Sequence, residues 1–142
     1  MNSKVWYYKG NTYRILGKVR MKDPKSGEWL DGLKYTRIAG VDDGGREYVR
    51  EEMDFYRKFI PSYLTIGDDV VVMSHGKCLG VTQVANIMES GEFVELEKSL
   101  GNSPNIISRA TKENGFIPNV NANYDCYYYN ETTCKMLGIE FK

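Results

Sequence analysis

The chain has 142 residues, a formal net charge of zero, 42% apolar residues and 13% aromatic ones. That length supports a single domain over 1–142 with enough core to fold unaided, and the apolar share excludes a disordered chain. Charge balance argues against a protein that lives on bulk nucleic acid or an anionic membrane, where a basic excess is expected, but leaves room for a local basic pocket. It also leaves self-association unopposed. Tyrosine is the outlier, with 11 residues. Its flat ring and hydroxyl suit interfaces and ligand pockets, and they suit β-strands equally well.

In chain order, Val5 to Tyr8 reads as a short strand and Lys9-Gly10-Asn11 as a turn. From Thr12 to Met21 the pattern alternates: Tyr13, Ile15, Val19 and Met21 on one side, Arg14, Lys18 and Arg20 on the other, as in a half-buried strand. Asp23-Pro24-Lys25-Ser26-Gly27 is turn chemistry, because Pro presets φ and Gly supplies positive φ. Trp29 to Ile38 returns as the hairpin partner, Gly40 to Gly45 turns again, and Glu47 to Arg50 is a third strand. Between Glu51 and Ile60 the period becomes helical through Met53, Tyr56, Phe59 and Ile60. Asp54 and Lys58 are placed to pair at i,i+4, and Pro61 is expected to stop the helix.

Val70 to Ser74 is a continuous apolar strand that turns at His75-Gly76 into Lys77 to Val84. Ser90-Gly91 then leads into Phe93 to Glu97, with Val94 and Leu96 opposite Glu95 and Glu97. The clearest helix is expected from Ser103 to Gly115, with Ser103 as N-cap, Pro104 at N1 and Gly115 as the stop. A second runs from Asn130 to Leu137 and ends at Gly138. The expected fold class is α+β: an antiparallel β-meander or small barrel-like sheet with two short C-terminal helices.

Cys78, Cys126 and Cys134 are odd in number and lack C-x-x-C spacing, which predicts reduced, intracellular thiols. No apolar run approaches the roughly 18 residues of a membrane span, and the opening MNSKVWYYKG does not read as a signal peptide. With one histidine, His75, and no cysteine pair, no metal site is expected. Cys78 and His75 sit awkwardly across a tight turn for a nucleophile pair. Glu51, Glu52 and Asp54 could serve as acid–base carboxylates, but first-turn acids favoured by the helix dipole explain them better. Without a phosphate-cradling Gly-rich motif, a binding protein needing no cofactor is expected over an enzyme. Arg57, among Phe55, Tyr56 and Phe59, and Arg109, beside Lys112, have the residue types that fork onto phosphate while a ring stacks on a base. Arginine stems laid over apolar neighbours would look the same.

The segments YRILGKVRMKDPKSGEWLDGLKY, YVREEMDFYRKF and NSPNIISRATKENGFIPN resemble the first-described Thoeris anti-defence family of phage proteins. The opening block is also similar to a small uncharacterised β-barrel family with KGxxY and YVR-type strands. The Thoeris likeness implies a phage protein in the cytoplasm of the infected bacterial host. It would sequester cyclic ADP-ribose isomers, such as glycocyclic ADP-ribose made by TIR-domain enzymes, without cleaving them, and so block that immunity. It further implies a homo-oligomer with recessed pockets near subunit interfaces, and, in some members, a separate site for cyclic oligonucleotides. Arg57 and Arg109 become the expected phosphate ligands, Phe55 the stacking ring, and Asn105, Thr111 and Lys112 the polar partners.

Magnitudes constrain that reading. Nanomolar binding needs about −12 kcal/mol. Charge-assisted bonds contribute roughly 1.5–3 kcal/mol each and a stacked base about 1–3 kcal/mol, so two arginines and one ring fall short unless the pocket is enclosed. A nucleotide-degrading enzyme using the Glu51, Glu52 and Asp54 carboxylates or Cys78 is one alternative. Another is a nucleic-acid or protein-binding β-barrel module using Arg14, Lys18, Arg20, Lys22 and Lys25.

Overall fold

A computed structural model describes residues 4–39, 45–88, 93–104, 106–109, 111–112, 115–116 and 124–142. The chain forms β1 (Trp6–Tyr8), β2 (Asn11–Lys22), β3 (Trp29–Ala39), β4 (Glu47–Glu51), α1 (Glu52–Lys58) and β5 (Ile60–Pro61). There follow β6 (Asp69–Ser74), β7 (Lys77–Met88), β8 (Phe93–Leu96), β9 (Ile106–Arg109), β10 (Thr111–Lys112), β11 (Gly115–Phe116), β12 (Asp125–Tyr128) and α2 (Glu131–Leu137). The fold is α+β, built mostly of antiparallel strands. The first sheet is open, in the order β4-β3-β2-β1-β5. The second pairs β12-β6-β7-β8-β9, and its ring of pairings closes only through a short parallel contact of Asp125 and Cys126 with Ser108 and Arg109.

Local chemistry explains the hairpins. Lys9-Gly10 and His75-Gly76 each join paired strands across a two-residue loop, with φ of 49° and 78° in the first and 50° and 77° in the second. Positive φ at both loop positions is the twist that two antiparallel strands favour, and glycine takes it without a Cβ clash. Between β2 and β3, the Asp23 carboxylate accepts from Lys25 N at 3.0 Å and from Ser26 Oγ at 2.9 Å, closing the turn. Along β2 the expected alternation holds: Tyr13, Ile15, Val19 and Met21 are at least half-buried, and Arg14, Lys18 and Arg20 are exposed.

The two sheets have different interiors. The first packs Trp6, Tyr13, Leu33, Tyr35, Phe55 and Phe59 together. The second encloses Leu64, Val70, Val72, Val84, Val94, Leu96 and Cys126. Strand β6 is buried on both faces, because Val71 and Met73 point away from that interior and pack with Ile60, Tyr127, Leu137 and Ile139. That is why it reads as an unbroken apolar run. Ile60 comes from β5 and Leu137 from α2, so this third cluster ties the sheets and the C-terminal helix together.

The helix expected over 103–115 is absent. Ile106–Arg109 is instead strand β9, antiparallel to β8, and Thr111–Lys112 pairs with Gly115–Phe116. Ser103 does not cap a helix; its Oγ accepts from Leu100 N at 3.0 Å and closes the turn before β9. Cross-strand pairing with β8 outweighs the capping signal, and the β-branched Ile106 and Ile107 suit it. Helix α2 forms as expected, with Asn130 as N-cap and Gly138 in left-handed geometry at its end. Helix α1 ends one turn before Pro61, which lies in β5. The Ser90-Gly91 and Gly40 to Gly44 turns lie outside the described residues. Among the described residues, no helix is long and apolar enough to cross a membrane.

Candidate functional site

Two clefts flank β1. The first, of about 360 Å³, lies between the β1–β2 turn, the end of α1 and the first turn of α2. The N-cap of α2 builds its wall. Asn130, 2% exposed, donates from Nδ2 to Phe59 O at 2.8 Å and Tyr56 O at 3.2 Å, while its Oδ1 accepts from Thr133 N at 2.9 Å. Thr132 Oγ1 donates to Lys58 O at 2.6 Å. One helix end is thus stitched to the other, which fixes the wall before any ligand arrives.

The chemistry of this cleft is cationic and aromatic. Lys9, Lys58 and Lys135 line it with Tyr7 and Tyr8, against one carboxylate, Glu131. Glu131 is shared: its Oε1 lies 3.0 Å from Lys58 Nζ and its Oε2 3.5 Å from Arg57 Nε. Lys9 Nζ lies 5.3 Å from the centre of the Tyr8 ring, which in turn stacks on Phe59 at 4.7 Å. Three ammonium groups around one shared carboxylate leave an uncompensated positive field. Tyr7 is buried and Tyr8, partly exposed, has one ring face on Phe59, so only Tyr8 can reach a base or sugar. A volume near 360 Å³ falls at the small end of the range for ligand sites, roughly 300–1,000 Å³.

The structure redistributes the expected ligand set. Phe55 is fully buried. It stacks on Phe59 at 4.0 Å and meets the edges of Trp6 and Tyr35 at 5.4 and 5.2 Å, so it is core and offers no face to a ligand. Arg57 does not line the lysine cleft but reaches its Glu131, with Nη2 2.9 Å from Asp54 Oδ1, so two carboxylates share its guanidinium. Those hydrogen bonds and charges raise its pKa. Arg109 lies in β9, opposite Cys126, rather than on a helix flank. Thr111 and Lys112 form β10; their side chains and that of Arg109, like Asn105 as a whole, lie outside the described residues. Among the described contacts Arg57 meets α2, not β9.

Asp54 pairs with Arg50 at 2.7 Å and Arg57 at 2.9 Å, not with Lys58 as its spacing suggested. Burial works against its charge, but the hydrogen bonds and field of both arginines outweigh it and hold the carboxyl below its ordinary range. A carboxylate so fixed is a poor proton shuttle. Cys134 is buried, which together with the Cys78 charge pushes its thiol up to about 11, away from nucleophile range. Among the described residues no hydrogen bond joins His75 to Cys78, and no cluster of metal ligands occurs. The basic stripe of β2 is exposed, yet Lys18 faces Glu52 at 3.6 Å and Arg20 faces Asp31 at 3.0 Å, which weakens it as a nucleic-acid interface.

The second cleft, of about 460 Å³, opens on the opposite flank of β1, where Trp6 and Tyr56 meet Asp68, Asp69, Tyr128 and Lys4. Its charge is the reverse of the first. Neither cleft was legible in the sequence, because their lining residues are spread from Lys4 to Met136 and share no spacing. Compared with known proteins, the chain matches no family model, no curated protein and no solved structure.

Proposed function

We propose that the protein binds and sequesters, without cleaving it, a cyclic ADP-ribose-type signalling nucleotide, as its resemblance to the Thoeris anti-defence proteins implies. The observation that carries this reading is the lysine cleft: Lys9, Lys58 and Lys135 beside Tyr7 and Tyr8 on a wall fixed by Asn130. Lysines meet the pyrophosphate, and the partly exposed Tyr8 meets the base or ribose. A cleft of this size does not by itself remove a whole dinucleotide from water, so tight binding calls for a second copy of the chain over its mouth. Arg57 joins the site when an incoming phosphate competes with Asp54 and Glu131 for its guanidinium.

The test is to incubate the purified protein with the products of a TIR-domain enzyme, wash, release by heat and identify the released molecules by mass spectrometry. Intact cyclic ADP-ribose isomer, lost in Lys9→Ala and Lys135→Ala variants that retain their unfolding transitions, supports the reading. Recovery of hydrolysed product, or of no nucleotide from the wild type, overturns it.

A further inference from the structure

We propose that the cleft on the Asp68 side of β1 is a binding site for an organic guanidinium cation. The site is an open cleft of about 460 Å³ lined by Trp6, Tyr56 and Tyr128, of which the two tyrosines are the more exposed. Trp6 approaches Tyr56 at 5.4 Å and Tyr128 at 6.0 Å, so the three rings form a fixed corner. Asp68 and Asp69 line it beside the rings.

The hydrogen-bond inventory selects the ligand. Asp68 Oδ2 accepts from Thr65 N at 2.8 Å, and Asp69 Oδ1 from Gln83 Nε2 at 2.8 Å. Among the described residues, the other oxygen of each carboxylate and the phenol oxygens of Tyr56 and Tyr128 have no such partner. The cavity therefore presents an excess of acceptors. Lys4 is the cation among its lining residues, and its ammonium is committed elsewhere: Nζ donates to Thr65 Oγ1 at 2.6 Å and lies 5.3 and 5.1 Å from the Trp6 and Tyr63 rings. Lys4 thus reaches Asp68 only through the field between them, in a partly desolvated place. Burial lowers the Lys4 pKa, against the pull of Asp68, and burial raises that of Asp68. The Tyr128 phenol is likewise pushed up by burial and by the charge of Asp68.

A phosphate would meet two carboxylates here and be repelled. A neutral apolar ligand would leave the acceptors unmet, at a desolvation cost. A flat, donor-rich cation meets all three conditions: it lies on the aromatic faces, forks onto the carboxylates and supplies the missing charge. Guanidinium fits better than ammonium because its plane can lie against one ring while its edge forks onto a carboxylate, and its charge is more weakly hydrated. Lys4, held over Trp6, shows the same cation–ring contact made within the chain. The site differs in charge and position from the lysine cleft, so it stands or falls separately from the nucleotide reading.

The test is isothermal titration of the full chain with agmatine, a free small guanidine, and with N-acetyl-arginine amide, which mimics an arginine side chain of a partner protein. Putrescine and inorganic phosphate serve as controls. Saturable binding of either guanidinium compound, stronger than that of putrescine and with no binding of phosphate at the same cleft, supports the proposal. The tighter of the two identifies the source as a small molecule or a partner's arginine. Asp68→Asn is expected to weaken binding about tenfold or more, Tyr128→Phe by less, and Lys4→Ala to tighten it by removing a competing cation. Absence of saturable binding in both wild type and Lys4→Ala overturns the proposal. So does unchanged affinity in both Asp68→Asn and Tyr128→Phe, each first shown to unfold cooperatively.

Discussion

The open sheet and the ring of strands solve the same packing problem with different side chains. The open sheet closes its core with rings, Phe55 and Phe59 stacked at 4.0 Å and Tyr13 and Tyr35 edge to face at 5.5 Å. The ring of strands fills its interior largely with valine: Val70, Val72, Val84 and Val94 are all fully buried. Rings in the first core pair edge to face and stacked, each burying a large area, whereas valines suit the pleated faces of the second. Both clefts lie where the aromatic half borders other elements, so the tyrosine excess serves core and surface at once.

The largest effects break the aromatic half. Phe55→Ala should cost about 3–5 kcal/mol, and Val72→Ala about 1.5–3 kcal/mol at most, each read from the midpoint of urea unfolding. Phe55→Leu keeps most of the apolar volume and should cost less than about 1.5 kcal/mol while leaving nucleotide binding unchanged. If Phe55→Leu lost the ligand yet stayed folded, the residue would be a stacking ring after all. Next comes Asn130→Ala. It removes an N-cap and two donors to buried carbonyls, so about 1–3 kcal/mol is expected. Amide exchange should speed up at Thr133 and Phe59 before it does in β6. Uniform acceleration across both sheets would mean that the stitch between α1 and α2 is not a local feature.

Much of the open sheet was legible because its signals are local. The alternation of β2, the Asp23 to Gly27 turn and the capped ends of α2 each lie within a dozen residues. The 103–115 segment was misread for the opposite reason. Ser103, Pro104 and Gly115 are helix punctuation, but pairing with β8, about a dozen residues upstream, decided its state. The site was less legible still. Arg57 drew notice through its aromatic neighbours, of which Phe55 and Phe59 are core and Tyr56 lines the other cleft. Lys9 passed as a turn residue, and Lys58 was matched to Asp54 when its partner, Glu131, lies 73 positions away. No spacing rule connects residues that only the tertiary fold brings together.

A smaller, pH-dependent effect compares the two carboxylates beside α1 and β1. Asp54 is held below the ordinary carboxyl range, so its contribution to stability is fully present above that range and is lost as pH falls through its folded value. Asp68, raised by burial, has the opposite sign: the protein loses stability as pH rises from the ordinary carboxyl value through the folded one. Melting temperatures below about pH 4 should therefore fall less steeply in Asp54→Asn than in the wild type. Asp68→Asn should instead remove a loss of stability seen above that pH. Parallel pH profiles for all three proteins would mean that neither environment matters to folding.

The smallest effect separates fold from function most cleanly. Lys9 and His75 occupy the same position in equivalent two-residue turns, each a non-glycine residue at φ near 50°. A side chain there is strained by roughly 1–2 kcal/mol, largely offset in a glycine variant by the extra freedom of the unfolded chain. Lys9→Gly and His75→Gly should thus change the unfolding midpoint by similar, small amounts of either sign. Only the first removes a cation from the lysine cleft, so only Lys9→Gly should weaken nucleotide binding, by about tenfold or more for one lost charge-assisted contact. Equal losses of affinity in the two variants would trace to turn geometry and count against the cleft. An unequal loss at equal stability ties affinity to the Lys9 ammonium itself.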